Sequence, residues 1–273
     1  MHRAAAILAC MGLLTLVTAC AAPPAPPSPG WPYGADAAVP SSHWKAVLVA
    51  GDGSLPVFDD AVDGVATRLR ERGGVPPGDI QRLSAAPAAV AREGARLASL
   101  DNVLDAVASM RPGAGQGCFV FATSHGAPRY GLVLTADGRE ALSPEALDRA
   151  LVQGCGDAPT AVVVSSCFSG IFARPPMARA NRVVLTAARP DRTSFGCGAG
   201  RAYTVYDRCL LDALDAGGTW RGAYGLIRRC VAAEEREGGF LPSEPRAWFG
   251  PAVADMALPT TAAAPAAVSP PAR

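Results

Sequence analysis

Short apolar runs alternate with segments of helical periodicity along the middle of the chain. The apolar runs lack the alternation of apolar and polar positions that is typical of half-exposed strands, so they are predicted to be buried on both faces. The predicted strands are 45–50, 80–84, 118–123, 161–166, 182–187 and 246–249, with a hairpin over 130–138. The predicted helices are 62–69, 100–107, 144–152, 203–214 and 219–237. This order predicts an α/β fold in which helices cover both faces of a mostly parallel sheet, as a three-layer sandwich.

The two ends of the chain differ in composition from the middle. Eleven of the 25 prolines lie in 21–42 and 254–273. The first residues carry a short positive region and then an apolar run too short to span a bilayer, which predicts a signal peptide. The predicted organisation is therefore a lipoprotein signal peptide over 1–19, an Ala/Pro-rich tether over 20–42, one domain over 43–253 and a disordered Ala/Pro-rich tail over 254–273.

The end of the first apolar run indicates a lipid anchor. Val17-Thr18-Ala19-Cys20 resembles a bacterial lipobox, in which small residues precede a cysteine that is lipidated and becomes the new N-terminus. The alternative is an ordinary signal peptide with a chance cysteine. Ala21 differs from the Asp that resembles an inner-membrane retention signal. We therefore expect a protein of the bacterial cell envelope, anchored to the membrane through Cys20, in the outer membrane and facing the periplasm.

Composition and charge exclude several classes of protein. Apolar residues make up 49% of the chain, which is enough for a sizeable core. The formal net charge of +1 provides no overall field for nucleic acid or for acidic membrane surfaces. The sequence contains no CxxC pair of the kind that binds zinc, and Gly51-Asp52-Gly53 lacks the third glycine of a dinucleotide-binding loop. We therefore expect no metal, no cofactor and no nucleic-acid partner.

Candidate catalytic residues follow two of the predicted strands. Of the three histidines, His2 lies in the signal peptide and His43 precedes the first strand, whereas His125 directly follows a buried strand, as does Cys167. In parallel sheets ligands bind beyond the carboxyl ends of the strands, so this pair predicts a thiol nucleophile with an imidazole that transfers protons. The backbone N–H groups of Gly126 and Cys167 would form the oxyanion hole. The alternative is a buried structural thiol and a loop histidine.

Several motifs follow one another in a characteristic order. They are Ala50-Gly51, His125-Gly126, Ser166-Cys167-Phe168-Ser169-Gly170, the stretch 185–197 and Ser243-Glu244-Pro245, and together they cover 44–250. This ordered set resembles the legumain-type (asparaginyl endopeptidase) cysteine peptidases, and especially their bacterial lipoprotein branch. The resemblance implies a caspase-like fold and a lipid-anchored peptidase that cleaves a peptide or protein substrate through the Cys167/His125 dyad and an acyl-enzyme. Two alternatives stay open: a transamidase or ligase using the same dyad, and a catalytically inactive caspase-like binding lipoprotein. The oligomeric state is not predicted.

The same resemblance places a substrate pocket around the dyad, in the loop after the first strand, beside the cysteine and in the loop after the next strand. The candidate pocket residues are Asp59, Ser165, Ser166, Asp191, Thr193, Ser194 and Phe195. Legumain-like enzymes carry an acid where this chain has Ser165, and an Asn and an Arg in the loop where 51–60 has neither. Asparagine specificity is therefore not expected. Asp59 or Asp60 can orient His125 or favour a basic substrate residue, or can simply be an acid at a helix start.

The other cysteines are predicted to be structural. Cys118 begins one strand and Cys155 lies just before the next. If those two strands are adjacent, the cysteines can form a disulfide, which an oxidising periplasm would allow. Cys209 and Cys230 lie on successive helices and can pair as well. Cys197 would then be free beside the site, with either a regulatory role or a role in loop packing.

Overall fold

The computed structural model describes residues 39–40, 42–198 and 200–261, without the side chains of Arg92 and Glu93. The predicted signal peptide, the lipidation site Cys20 and nearly all of the predicted tether lie outside the described residues. Within those described residues, no helix has the length and apolar character needed to cross a membrane.

A seven-stranded sheet forms the centre of the fold. The described residues form ten strands, of which seven belong to this sheet and three to a smaller one. They are β1 (Trp44–Ala50), β2 (Ile80–Ser84), β3 (Arg96–Leu97), β4 (Gly117–Thr123), β5 (Gly126–Ala127), β6 (Gly131–Leu134), β7 (Glu140–Leu142), β8 (Thr160–Ser165), β9 (Arg182–Thr186) and β10 (Arg246–Phe249). The order in the large sheet is β10-β9-β8-β4-β1-β2-β3, and every neighbouring pair is parallel except β10 with β9. The predicted mostly parallel sheet is confirmed.

Helices cover both faces of this sheet. They are α1 (Pro56–Glu71), α2 (Pro87–Glu93), α3 (Leu100–Ala108), α4 (Pro144–Cys155), α5 (Val205–Ala216) and α6 (Trp220–Glu237). Alternate strand residues face opposite sides: in β1, Leu48 packs in the cluster that includes α1, α5 and α6, and Val49 packs in the cluster that includes α3 and α4. Because both sides are buried, the strands need apolar residues at every position, which explains the continuous runs in the sequence.

A small antiparallel sheet continues directly from the end of β4. It has the order β5-β6-β7 and contains the predicted hairpin, with β5 as an additional short strand. The sequence did not predict α2 or β3, because seven and two residues are too few to show a clear period.

The predicted tail begins too early in the sequence. Residues 254–261 pack against the ends of α5 and α6: the Trp220 N–H donates to Met256 O at 3.0 Å, and Thr260 Oγ1 donates to Leu214 O at 2.7 Å. Leu258 is only 2% exposed, and Val39 at the other end is 5% exposed. Both apolar side chains are buried in the core, so the described domain extends from 39 to 261 and a tail can begin only after it. The Ala/Pro-rich composition around Met256 and Leu258 hid these contacts.

Two disulfides lie within the described domain, and they join the pairs that the sequence suggested. Cys118 in β4 is bonded to Cys155 at the end of α4, with 6.2 Å between the Cα atoms. Cys209 in α5 is bonded to Cys230 in α6, with 5.7 Å between the Cα atoms. Cys118 is at the amino end of its strand, so the first disulfide lies at the edge of the sheet opposite to the candidate site.

Candidate active site

Strand register brings His125 and Cys167 to one edge of the sheet. Thr123 at the end of β4 is paired with Ser165 at the end of β8. His125 and Cys167 each lie two residues beyond these partners, and the Ser124 N–H donates to Ser165 O at 3.1 Å, so the chain leaves both strands side by side. The two residues selected from the sequence therefore occupy equivalent positions past adjacent parallel strands.

Gly126 packs directly on the backbone of Cys167. A Cβ atom at position 126 would lie 1.8 Å from Cys167 O and 3.0 Å from Cys167 N. No other amino acid fits this approach without a backbone shift, which is the physical reason for a glycine after His125. The His125–Gly126 turn and the Cys167 backbone are thus in van der Waals contact.

Two backbone N–H groups beside this contact are candidates for an oxyanion hole. The Val133 N–H donates to His125 O at 2.9 Å, so Gly126 and Leu132 form a non-hydrogen-bonded antiparallel pair and the Gly126 N–H points away from β6. Among the described residues, the Cys167 N–H donates to no backbone carbonyl. The next amide along the chain is already used, because the Phe168 N–H donates to Arg192 O at 2.8 Å. Phe168 has φ of 59°, which turns the chain sharply at this point.

The Cys167 sulfur contacts Ser194 in the loop after β9. The Ser194 N–H donates to Cys167 Sγ at 3.3 Å, and the thiol can donate to Ser194 O at 3.5 Å. The His125 ring packs edge-on against Phe58 of α1, with 5.4 Å between ring centroids. Among the described residues, the Cys167 sulfur is hydrogen-bonded to Ser194 rather than to His125. Catalytic hydrogen bonds are often long before substrate binds, so this geometry is compatible with a dyad.

The loop that carries Ser194 is held by ion pairs. Arg189 donates to Asp191 from Nε at 2.8 Å and from Nη2 at 2.5 Å, and it also donates to Glu244 at 3.2 Å. Hydrogen bonding to Arg189 lowers the pKa of Asp191 to about 2. Asp191 was predicted as a pocket residue, and the structure shows that its carboxylate is already neutralised by Arg189.

The remaining predicted pocket residues differ in their exposure to solvent. Phe195 stacks on Phe240 with 4.7 Å between centroids, and Thr193 is exposed. Ser165 and Ser166 are each 2% exposed, so their side chains lie under the site rather than in open solvent. Asp59 lies in the first turn of α1, as the helix-start interpretation predicts.

Cys197 is a second free cysteine of the described chain, three residues after Ser194. Burial raises the pKa of its thiol, and the nearby Cys167 raises it further. Its thiol is therefore a weaker nucleophile at neutral pH than an exposed cysteine.

One buried acid beneath this edge of the sheet is not among the residues predicted from the sequence. Asp207 in α5 is 1% exposed, and its Oδ2 accepts a hydrogen bond from Thr123 Oγ1 at 2.7 Å. Burial raises the pKa of Asp207 to about 6, although neighbouring hydroxyl groups oppose the rise. The available signal was spacing, because Asp207 has the helical offset of the buried Leu210, Leu211 and Leu214.

Comparisons with known proteins add a family and a fold. The sequence model of the peptidase C13 family matches residues 107–243, which include His125, Cys167 and Asp207. Caspase-1 from Spodoptera frugiperda has a similar structure, with a TM-score of 0.51, 11% sequence identity, and coverage of 76% of this chain and 86% of the caspase. At this identity the likeness concerns the fold, and the expected caspase-like sandwich is confirmed. No curated protein sequence matches the chain significantly.

Proposed function

Because the chain belongs to the peptidase C13 family and is therefore a cysteine-type peptidase, we propose that Cys167 is its nucleophile and His125 its proton-transfer residue. The observation that carries this assignment is the shared register of the two residues beyond β4 and β8, together with the packing of Gly126 on the Cys167 backbone. The expected substrate is a peptide or protein.

The proposed reaction has two halves. The Cys167 thiolate attacks the carbonyl carbon of the scissile peptide bond, and the tetrahedral oxyanion accepts hydrogen bonds from the Gly126 and Cys167 N–H groups. His125 then gives a proton to the leaving amine, and the bond between carbon and nitrogen breaks to leave a thioester. Water, deprotonated by His125, attacks this acyl-enzyme and releases the second product together with the thiol.

Ser194 holds the proposed nucleophile in place. Its N–H donates to Cys167 Sγ at 3.3 Å, and its carbonyl oxygen lies 3.5 Å from the same sulfur. These two contacts fix the sulfur beside the loop after β9. The ion pairs of Arg189 with Asp191 and Glu244 keep the loop in the position that allows these contacts.

The pocket does not support asparagine specificity. Ser165 occupies the position of the acid in legumain-like enzymes, its side chain is buried, and Asp191 is already paired with Arg189. Profiling with a peptide library, followed by mass measurement of the products, would identify the scissile residue. Adding an amine nucleophile to the same assay separates hydrolysis from transamidation, because transfer adds the mass of the amine.

We also propose that Cys20 carries a lipid and holds the peptidase at the outer membrane, facing the periplasm. The supporting features are the lipobox-like Val17-Thr18-Ala19-Cys20 and the two disulfides, which are typical of an oxidising compartment. Incorporation of labelled palmitate in bacteria tests the anchor. The full chain is expected to take up label and the Cys20→Ser variant to take up none, whereas equal labelling of the two would contradict the anchor.

A thiol-directed activity probe tests the proposed nucleophile. The full chain is expected to be labelled at Cys167, with labelling lost in Cys167→Ala and kept in Cys197→Ala, which removes the other free cysteine of the described domain. His125→Ala is expected to reduce labelling, because the imidazole no longer stabilises the thiolate. Labelling that persists unchanged in Cys167→Ala would remove Cys167 as the nucleophile.

A further inference from the structure

A carboxyl group that the proposed chemistry does not use lies under the strand ends that carry the dyad. Asp207 is in the first turn of α5 and is 1% exposed. Its Oδ2 accepts a hydrogen bond from Thr123 Oγ1 at 2.7 Å, and this bond is buried. A helix from one face of the sheet is thus tied to the last residue of β4.

The same carboxyl group lies beside the last residue of β8. The Ser165 hydroxyl is close enough to lower the pKa of Asp207. Ser165 is the register partner of Thr123, and each precedes a member of the dyad by two residues. One carboxyl group therefore sits between the final side chains of the two strands from which His125 and Cys167 emerge.

Hydrogen bonds also connect the start of α5 to the loop that contacts the Cys167 sulfur. Thr204 is the N-cap residue of α5, and its Oγ1 accepts a hydrogen bond from the Asp207 N–H at 3.0 Å. The next residue, Val205, donates from its N–H to Phe195 O at 3.0 Å. The start of α5 is thus attached to the residue that follows Ser194, whose N–H points at Cys167 Sγ.

Fold stability alone does not account for this acid. A carboxylate loses hydration when it is buried, and Asp207 Oδ1 has no well-aligned hydrogen-bond partner among the described residues. An apolar residue at this helical position would extend the buried face that Leu210 and Leu211 provide. The acid therefore carries an energetic cost, and its hydrogen bonds lead to the site.

We propose that Asp207 is a positioning residue for the peptidase, which fixes the relative placement of His125 and Cys167 through the hydroxyl groups of Thr123 and Ser165. The proposal rests on the proposed roles of His125 and Cys167. The ionised carboxylate accepts the hydroxyl hydrogen atom of Thr123 and lies near the hydroxyl group of Ser165, whereas the protonated form turns one acceptor oxygen into a donor and disturbs the arrangement.

The charge state of Asp207 is set by its own surroundings. The groups that act on its pKa are burial, which raises it, and the hydroxyls of Ser165, Thr123 and Thr204, which lower it. Among the described residues, α1, α6, β4 and β8 contribute no charged group to this balance. The pKa of the neighbouring Tyr206 is raised well above its usual value by burial, and the charge of Asp207 raises it further. Burial therefore sets the pKa of Asp207 at about 6, and the groups that lower it are hydroxyls rather than cations.

The rate at which iodoacetamide alkylates Cys167 tests the proposal without knowledge of the substrate. The rate is measured by mass spectrometry of the Cys167 peptide in the full chain, from pH 5 to pH 8, with Cys197 as an internal reference thiol. The variants are Asp207→Asn, Thr123→Val and their combination. Thr160→Val is the matched control, because it removes a buried threonine hydroxyl at the opposite end of β8.

At pH 7 we expect Asp207→Asn and Thr123→Val each to slow alkylation of Cys167 by about tenfold, since small misplacements of catalytic groups have effects of this size or larger. The double variant should be no slower than either single variant, because both changes break one link. The ratio of the wild-type rate to the Asp207→Asn rate should rise around pH 6. Thr160→Val should react like the wild type.

Each outcome separates the positioning role from the nucleophile assignment. A Cys167 that reacts no faster than Cys197 in the wild type would overturn the proposed function and the positioning role with it. A reactive Cys167 whose rate and pH profile are unchanged in Asp207→Asn would overturn the positioning role alone, as would fully additive losses in the double variant. If Asp207→Asn does not fold, Thr123→Val breaks the same link with the carboxyl group intact, and a wild-type rate in that variant would also refute the role.

Discussion

Replacement of Asp207 by Asn should change how the stability of the domain depends on pH. In the folded protein burial raises the pKa of Asp207 from 3.8 to about 6, so between these values the folded chain binds the proton more tightly than the unfolded chain. The stabilising effect of the proton is complete below the unfolded pKa, declines as pH rises, and is absent above the folded pKa. The side-chain amide of the Asp207→Asn variant does not titrate in this range. Ionised Asp207 therefore makes the wild type progressively less stable, relative to Asp207→Asn, as pH rises.

The expected size follows from the two pKa values. Multiplying their difference by 1.36 kcal/mol gives about 3 kcal/mol for the whole titration, and about 2 kcal/mol of it falls between pH 4 and pH 7.5. For a domain of this length, 1 kcal/mol corresponds to roughly 2–4 °C in Tm. The difference in Tm between the wild type and Asp207→Asn should therefore move by about 4–8 °C across this range.

Thermal or urea unfolding at a series of pH values, with the disulfides intact, measures this difference. Asp191→Asn provides a control whose stability difference from the wild type should stay nearly constant over this range, because Arg189 lowers the pKa of Asp191 to about 2 and the resulting stability is lost only as pH falls below about 4. A stability difference between wild type and Asp207→Asn that stays constant from pH 4 to pH 7.5 would refute the reasoning. It would mean that the carboxyl group is not held in a buried environment.

Two further predictions concern the backbone contact at Gly126 and the disulfide at the opposite edge. Gly126→Ala should lower kcat/KM by about a hundredfold, because the new Cβ would lie 1.8 Å from Cys167 O and force a backbone shift. Gly113→Ala is the control and should retain activity, because its Cβ would meet only Gln116, at 3.5 Å. Equal activity of the two variants would contradict the close approach of Gly126 to Cys167. Replacing both Cys118 and Cys155 with Ala should lower the free energy of unfolding by about 4 kcal/mol, because the disulfide closes a loop with a sequence separation of 37. Denaturant unfolding without reductant measures this loss, and a negligible loss would contradict the prediction.

The sequence predicted the sheet well because burial on both faces leaves a strong local signal. The strands at 80–84 and 246–249 were predicted with the bounds that the structure has. The short α2 and β3 were missed, and Met256 and Leu258 were assigned to a tail, because their burial depends on distant partners such as Trp220 and Gly218. The local pattern of apolar and polar residues does not predict contacts between residues that are distant in the sequence.

Some residues of the candidate site could likewise be predicted from the sequence, and others could not. His125 and Cys167 could be selected from the sequence because each directly follows a buried strand, and the carboxyl ends of parallel strands share an edge. Asp207 could not, since an acid in the first turn of a helix is ordinarily explained by the helix dipole. Its contact with Thr123 joins residues 84 positions apart. The pairing of Asp191 with Arg189 likewise depends on how one loop folds.

The described domain holds cysteines in two oxidation states, and the fold separates them in space. Cys118 and Cys155 of the first disulfide are 0% and 6% exposed, whereas the free Cys167 is half-buried at the carboxyl edge of the sheet. A small reductant therefore reaches the Cys167 sulfur more easily than the Cys118–Cys155 bond. An oxidised Cys167 can therefore be reduced while the Cys118–Cys155 bond stays closed, so the oxidation state of the candidate site and that of this structural bond can change separately.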